Sequence, residues 1–93
     1  SIKFKIVISN DNDKDVLVNF DNVSDVVLIL DDNTFVKMAA SVVSGDNETL
    51  TKGSSITKEA FFPIGLQDQG QIKSISFGNV KIGDEQKVIT LDF

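Results

Sequence analysis

The sequence predicts an all-β fold, an antiparallel β-sandwich of about seven strands, in a single domain over residues 1–93. Two observations carry this prediction. Apolar residues recur at every second position in several short segments, which is the periodicity of a strand with one buried face. Turn-forming residues separate these segments about every ten residues, a spacing typical of sandwiches and barrels.

The first three strands follow from alternation and from one apolar run. Residues 2–8 (IKFKIVI) place four apolar side chains on one face, and alternation resumes over residues 16–20 (VLVNF) after a polar stretch. Residues 26–30 (VVLIL) form an unbroken apolar run, which predicts a strand buried on both faces.

Residues 34–43 fit two interpretations. As a strand, the apolar residues at even positions from Val36 to Val42 share one face. As a helix, an apolar stripe from Phe35 to Val42 would end before Gly45. We favour the strand, because all the neighbouring segments are strands and β-branched residues frame this one.

Two further strands are predicted over residues 55–64 and 71–77. Pro63 indicates an edge position or the end of the first of these strands, because proline donates no ladder hydrogen bond. In the second, Ile72 falls on the face opposite the other large apolar residues. Residues 78–83 form a short extended piece between two glycines, at which we expect breaks.

The last strand, residues 87–93 (KVITLDF), also alternates. It places Ile89, Leu91 and Phe93 on one face, and we expect that face to join the core together with the first strand.

Composition excludes several kinds of chemistry. The chain has no Cys, Trp, His, Arg or Tyr, so the commonest general base and the thiolate and imidazole metal ligands are missing. Nine lysines against fourteen acidic residues give a net charge of −5, the wrong sign for contacts to nucleic-acid phosphates. No apolar run approaches the roughly 20 residues of a membrane span.

Three segments together resemble the immunoglobulin-like sandwich domains of bacterial surface proteins and lipoproteins. They are IVISNDNDKDVLVNF, LTKGSSITKEAFFPI and IKSISF. The paired cysteines, core tryptophan and corner tyrosine of antibody domains are missing. The resemblance implies a binding or spacer role, and it is also compatible with a small accessory protein that blocks a partner.

Alternating carboxylates at Asp11, Asp13 and Asp15 suggest a calcium loop, since calcium binds six to eight oxygens. The glycine and glutamate that an EF-hand requires at its sixth and twelfth positions are absent. A second loop would have to complete such a site, from Asp31, Asp32 or Asp46. The alternative is a solvated turn between two strands, where Asn and Asp are favoured by their local hydrogen bonds.

A partner-binding surface is predicted at Phe61 and in the polar loop over residues 44–54. Adjacent residues of a strand point to opposite faces, so one ring of the Phe61-Phe62 pair leaves the core face. An exposed ring there would anchor a protein partner, unless a loop covers it. The loop residues that we expect to take part are Asp46, Asn47, Glu48, Leu50 and Lys52.

These features predict a non-enzymatic module that binds a protein partner, with no cofactor and no direct binding to nucleic acid. One alternative is a calcium-stabilised adhesion or ligand-binding module. Another is a small acidic inhibitor of a nucleic-acid-processing enzyme. The composition fits either an extracellular or cell-surface domain or a small cytoplasmic protein.

Overall fold

The computed structural model describes residues 2–39, 49–65 and 70–93. Over these ranges it contains two antiparallel sheets and no α-helix, which confirms the all-β prediction. The seven strands are β1 (Ile2–Ser9), β2 (Val16–Val18), β3 (Val26–Leu30), β4 (Phe35–Lys37), β5 (Ser55–Phe62), β6 (Ile72–Ile82) and β7 (Glu85–Asp92). The same ranges contain no helix long and apolar enough to cross a membrane.

The smaller sheet consists of β1 and β5. Ile2 lies opposite Phe62, and the pairing continues in register to Ser9 and Ser55. The even-numbered residues of β1 are buried or half-buried, whereas the odd-numbered residues are exposed. The period-2 pattern of the sequence therefore becomes a sheet with one face in the core.

The larger sheet has five strands arranged around β6. Along one edge β6 pairs with β7, and along the other it pairs first with β3 and then with β2, while β4 lies outside β3. An extra residue between Phe77 and Val80 makes a bulge against β7. Gly78 lies in this bulge, and its amide donates to the carbonyl oxygen of Asp25, 2.7 Å away. The break predicted at Gly78 is therefore wrong, because the chain continues through a bulge within one long strand.

A second irregularity explains the position of Ile72. Leu30 lies opposite Ile72 and Ile29 opposite Ser74, so that Lys73 is skipped in the ladder. Ile72 packs against the core cluster as a result. The misplaced apolar residue in the sequence is thus the signature of a bulge.

One core lies between the sheets. Ala60 and Phe62 from the smaller sheet belong to the same cluster of buried side chains as Val26 and Leu28 from the larger one. Full burial of aliphatic and aromatic side chains such as these contributes about 1.5–3 kcal/mol each to folding.

The strand interpretation of residues 34–43 is confirmed for the part that the structure describes, which forms β4 followed by the buried Met38. Residues 40–48 lie outside the described ranges. The prediction that β3 is buried on both faces is wrong. Val27 and Ile29 are only half-buried, because the smaller sheet packs on the opposite face of β3.

Candidate functional site

The two sheets differ in width, and one side of the sandwich is open as a result. Among the described residues, β1 pairs only with β5 and β7 only with β6, so both are edge strands. Their apolar side chains line the same gap. We call this gap the open side, and its border is formed by Phe4, Ile6, Ile8, Ile89, Leu91 and Phe93.

Two cavities lie along the open side. One has a volume of about 400 Å³ and is lined by Ile2, Lys3, Phe4, Ile72 and Phe93. The rings of Phe4 and Phe93 approach each other there, with centroids 6.2 Å apart. The other cavity has a volume of about 270 Å³ and is lined mainly by apolar side chains of β1, β2, β6 and β7. The open side is therefore an apolar groove rather than a flat edge.

Apolar exposure is concentrated on the strands that border this groove. Of the six exposed large apolar side chains in the described ranges, four lie on β1, on β7 or directly after β7. They are Val7, Val88, Leu91 and Phe93. Leu91 and Phe93 face the groove, whereas Val7 and Val88 belong to the outward-facing sets of their strands.

The prediction that the whole apolar face of the last strand joins the core is wrong. Leu91 lies opposite the buried Ile75 and so faces inward, yet it is 54% exposed. Phe93 is 70% exposed, and only Ile89 is half-buried. The reason is the width of the smaller sheet, whose two strands do not extend over β7.

One hydrogen bond shows which backbone groups of β7 face its free edge. The amide of Phe93 donates to the carbonyl oxygen of Lys73 on β6, at 2.9 Å. Successive residues of a strand direct their amide and carbonyl groups to alternate sides, so odd-numbered residues of this part of β7 face β6. Val88, Thr90 and Asp92 therefore present their backbone groups to the free edge.

The backbone groups of β1 that face its free edge are identified in the same way. The amide of Asn10 donates to the carbonyl oxygen of Ser54 at 3.0 Å, so even-numbered residues of β1 face β5. Lys3, Lys5 and Val7 then turn their backbone groups outward. The two lysine side chains are exposed at this edge, a feature that hinders pairing with other strands.

The acidic stretch between β1 and β2 is organised by Asn10, which is buried. Its Nδ2 atom donates to the carbonyl oxygens of Lys14, at 2.9 Å, and Leu50, at 2.8 Å. Its Oδ1 atom accepts a hydrogen bond from the amide of Asn12, at 2.8 Å. The loop is thus held by an amide side chain that satisfies local and distant backbone groups, as expected for an Asx turn.

The three carboxylates predicted as calcium ligands are all exposed. Asp13 forms an ion pair with Lys52, whose Nζ atom donates a hydrogen bond to Oδ1 of Asp13 at 2.8 Å. In the described part of the chain, no group of three or more acidic residues could hold a metal ion.

The proposed second half of the calcium site lies at the other end of the molecule. Asp31 and Asp32 lie beside the first residues of β6, because the amide of Asp31 donates a hydrogen bond to the carbonyl oxygen of Gln71. Asp15 lies at the end of β6, where its carbonyl accepts from the amide of Gly83. Strands rise by about 3.3 Å per residue, so β6 separates these two sites by roughly 30 Å. Asp46 lies outside the described residues.

The residues predicted to bind a partner fall in different environments. Phe62 is in the core and Phe61 is half-buried on the outer face, opposite Lys3. Leu50 is buried and exchanges two backbone hydrogen bonds with Val16, of 3.0 and 2.7 Å. Its side chain therefore belongs to the core. Three of the predicted loop residues lie outside the described ranges: Asp46, Asn47 and Glu48.

Sequence reasoning missed two side chains. Phe35 is 68% exposed, because Val36 is the residue of β4 that faces the core; the favoured strand interpretation already placed Val36 on the apolar face, but the exposed ring of Phe35 was not singled out. Lys58 is only 1% exposed and lies on the inward face of β5 with Ala60 and Phe62. The alternation of β5 could have identified Lys58, since it shares the parity of those two residues.

Comparisons of the chain with protein-family models, with curated proteins and with solved structures find no match in any of the three. The resemblance to immunoglobulin-like domains accordingly stays a prediction, and the function is argued from the open side itself.

Proposed function

We propose that this chain is a non-enzymatic protein-binding module that accepts an extended segment of a protein partner along its open side. The observation that carries the proposal is the exposure of Leu91 and Phe93 on the inward face of a sandwich. Apolar side chains that face inward and yet are exposed leave room for one further strand, which would cover them.

The hydrophobic effect favours an occupant of this groove. Burying the exposed parts of Leu91 and Phe93 would contribute on the order of 1–3 kcal/mol for each side chain. An extended segment covers them best, because alternate side chains of a strand point to one face and can enter the groove together. Its backbone would pair with the free edge of β1 or β7, as in other cases of strand addition.

The length of the groove defines the segment. Strand β1 contains eight residues, as does β7, and eight residues of strand extend over roughly 26 Å. The partner would therefore contribute about seven or eight residues in which every second side chain is apolar.

An immunoglobulin-like arrangement of the strands supports the same location. Taking β1 and β5 as strands B and E, and β3, β6 and β7 as strands C, F and G, leaves the position of strand A beside β1 without a strand in the described ranges. That position is the open side.

The other hypotheses lack a comparable feature. A catalytic role has no histidine, cysteine or arginine to draw on. The calcium module would need gathered carboxylates, whereas no group of three or more acidic residues in the described part of the chain could hold a metal ion.

A peptide-display selection tests the proposal. Random peptides are selected on the immobilised chain, and the binders are mapped onto it by NMR chemical shifts. We expect binders with alternating apolar residues and shifts centred on the open side. Phe93→Lys should reduce binding by tenfold or more, whereas Phe35→Lys should not, although the two rings are equally exposed at 70% and 68%.

The opposite pattern would overturn the proposal. If selected peptides lose affinity for Phe35→Lys and keep it for Phe93→Lys, the binding surface is the outer face of the larger sheet. If no selected peptide shifts residues of β1 or β7, the open side is not a binding site.

A further inference from the structure

We propose that the segment received at the open side is β7 of a second copy of this chain, in a symmetric dimer joined by antiparallel pairing of the two β7 edges. This inference rests on the proposed function and names its partner. The pairing would join two five-stranded sheets into one continuous sheet.

The two free edges differ in their protection against pairing. The β1 edge carries exposed Lys3 and Lys5, and Lys3 also forms an ion pair of 3.7 Å with Glu59. Residues 88–91 of β7 (VITL) carry no charge. An uncharged, largely apolar stretch such as residues 88–91 is a template for pairing, although Lys87 and Asp92 flank it. Lysines on an edge oppose pairing, and both Lys3 and Lys5 turn their backbone groups to the free edge of β1. The edge open to a second copy is therefore β7.

The backbone of β7 can pair with itself about Thr90. Val88, Thr90 and Asp92 direct their amides and carbonyls outward, as the bond from the Phe93 amide to β6 implies. With a two-fold axis at Thr90, each Val88 lies opposite Asp92 of the second copy. The three residues of each chain then all form ladder hydrogen bonds.

The side chains are self-complementary in this register. Ile89 lies opposite Leu91 of the second copy, and this pair occurs twice on the inward face. The two Thr90 side chains meet on the outer face, where pairs of threonines are favourable in sheets. No two like charges lie directly opposite each other.

Alternative registers fit less well. A two-fold axis at Val88 would place Asp84 opposite Asp92 of the second copy, which is destabilising. An axis at Ile89 would require the backbone groups of odd-numbered residues to face the free edge, whereas those groups face β6. The register about Thr90 therefore agrees with both the backbone directions and the charged positions.

The dimer should be weak and should depend on salt. One pair of strands contributes a contact smaller than that of a stable interface, which buries at least about 1,200 Å². Each chain also has a net charge of −5, so the two copies repel each other. Added salt screens this repulsion, and we therefore expect moderate salt to strengthen association.

Sedimentation equilibrium of the whole chain at increasing concentration tests the inference. We expect the mass to rise from monomer to dimer, and Thr90→Pro to weaken dimerisation by tenfold or more. The amide of Thr90 faces outward, so proline removes no backbone hydrogen bond within the monomer. The matched control is Val7→Pro, which alters the free edge of β1 and should dimerise like the unmodified chain.

Hydrogen exchange of the unmodified chain provides a readout that does not depend on any variant. The amides of Val88, Thr90 and Asp92 should become at least tenfold more protected as concentration rises, while those of Lys3, Lys5 and Val7 should not. Circular dichroism shows whether each proline variant keeps its fold.

A chain that stays monomeric at every concentration, or a dimer lost in Val7→Pro and kept in Thr90→Pro, would overturn the inference. The proposed function has a separate outcome. If the monomeric chain still binds selected peptides at the open side, only the identity of the partner is wrong. If peptides do not bind there either, both proposals fail.

Discussion

The side chain of Asn10 donates a hydrogen bond to the carbonyl oxygen of Leu50, 2.8 Å away and forty positions along the chain. This bond joins the acidic stretch after β1 to the segment that leads into β5. It fastens one end of the sandwich without a disulfide, since the chain has no cysteine.

We expect Asn10→Ala to lower the free energy of unfolding by about 2–3 kcal/mol, since it removes three side-chain hydrogen bonds of a buried amide. Chemical denaturation measures the change. Asn12→Ala is the control, because Asn12 takes part in this network only through its backbone amide. Equal losses for both variants would show that Asn10 has no special role.

Calcium should leave the melting temperature unchanged. Asp13 is already paired with Lys52, and Asp31 and Asp32 are at the far end of β6. Thermal melting with calcium and with a chelator measures the effect. A rise of several degrees that disappears in Asp13→Asn would instead establish a calcium site in this loop.

Gly83→Ala should destabilise the fold by about 1–2 kcal/mol, because Gly83 has a φ of +60° at the turn between β6 and β7. An added Cβ would also lie 3.2 Å from Cδ of Lys14, although that flexible side chain can move. Gly70→Ala is the control, since an added Cβ meets nothing there and the φ is not positive. Comparable stability of the two variants in denaturant would contradict this account of the turn.

Phe62→Ala should cost about 3–5 kcal/mol, because the ring is fully buried and contacts Phe4 edge to face, with centroids 5.6 Å apart. Phe35→Ala removes the same side chain from an exposed position and should change stability by less than about 0.5 kcal/mol. Denaturation curves of the two variants measure the difference. A large loss for Phe35→Ala would mean that its ring is covered in solution.

Hydrogen bonds from Thr34, first from its side chain and then from its backbone amide, lower the pKa of Asp32. A carboxyl group with a lowered pKa in the folded state contributes stability above its unfolded pKa, and this contribution is lost as pH falls through the folded pKa. An NMR titration should therefore show Asp32 below the ordinary value of 3.8. The pKa should rise towards that value in Thr34→Val and stay low in Thr34→Ser.

Strand positions could be predicted because alternation is a local property. The inward positions of β1 and β5 are correct, since each residue's face depends only on its parity within the strand. The same rule correctly predicted that Leu91 points inward. Irregularities such as the bulge at Gly78 escaped it, because they arise from pairing with a partner strand.

Three features of the protein were determined by the sequence by itself: its all-β class, the approximate positions of its strands and the side-chain types that it lacks. Tertiary structure alone decided that Asn10 is buried against Leu50 and that Leu91 and Phe93 are exposed. Alternation determines which way a side chain points, but burial requires another element to cover it. The widths of the two sheets result from pairings between residues distant in sequence, so only the folded chain reveals that, among the described residues, no strand lies opposite β7.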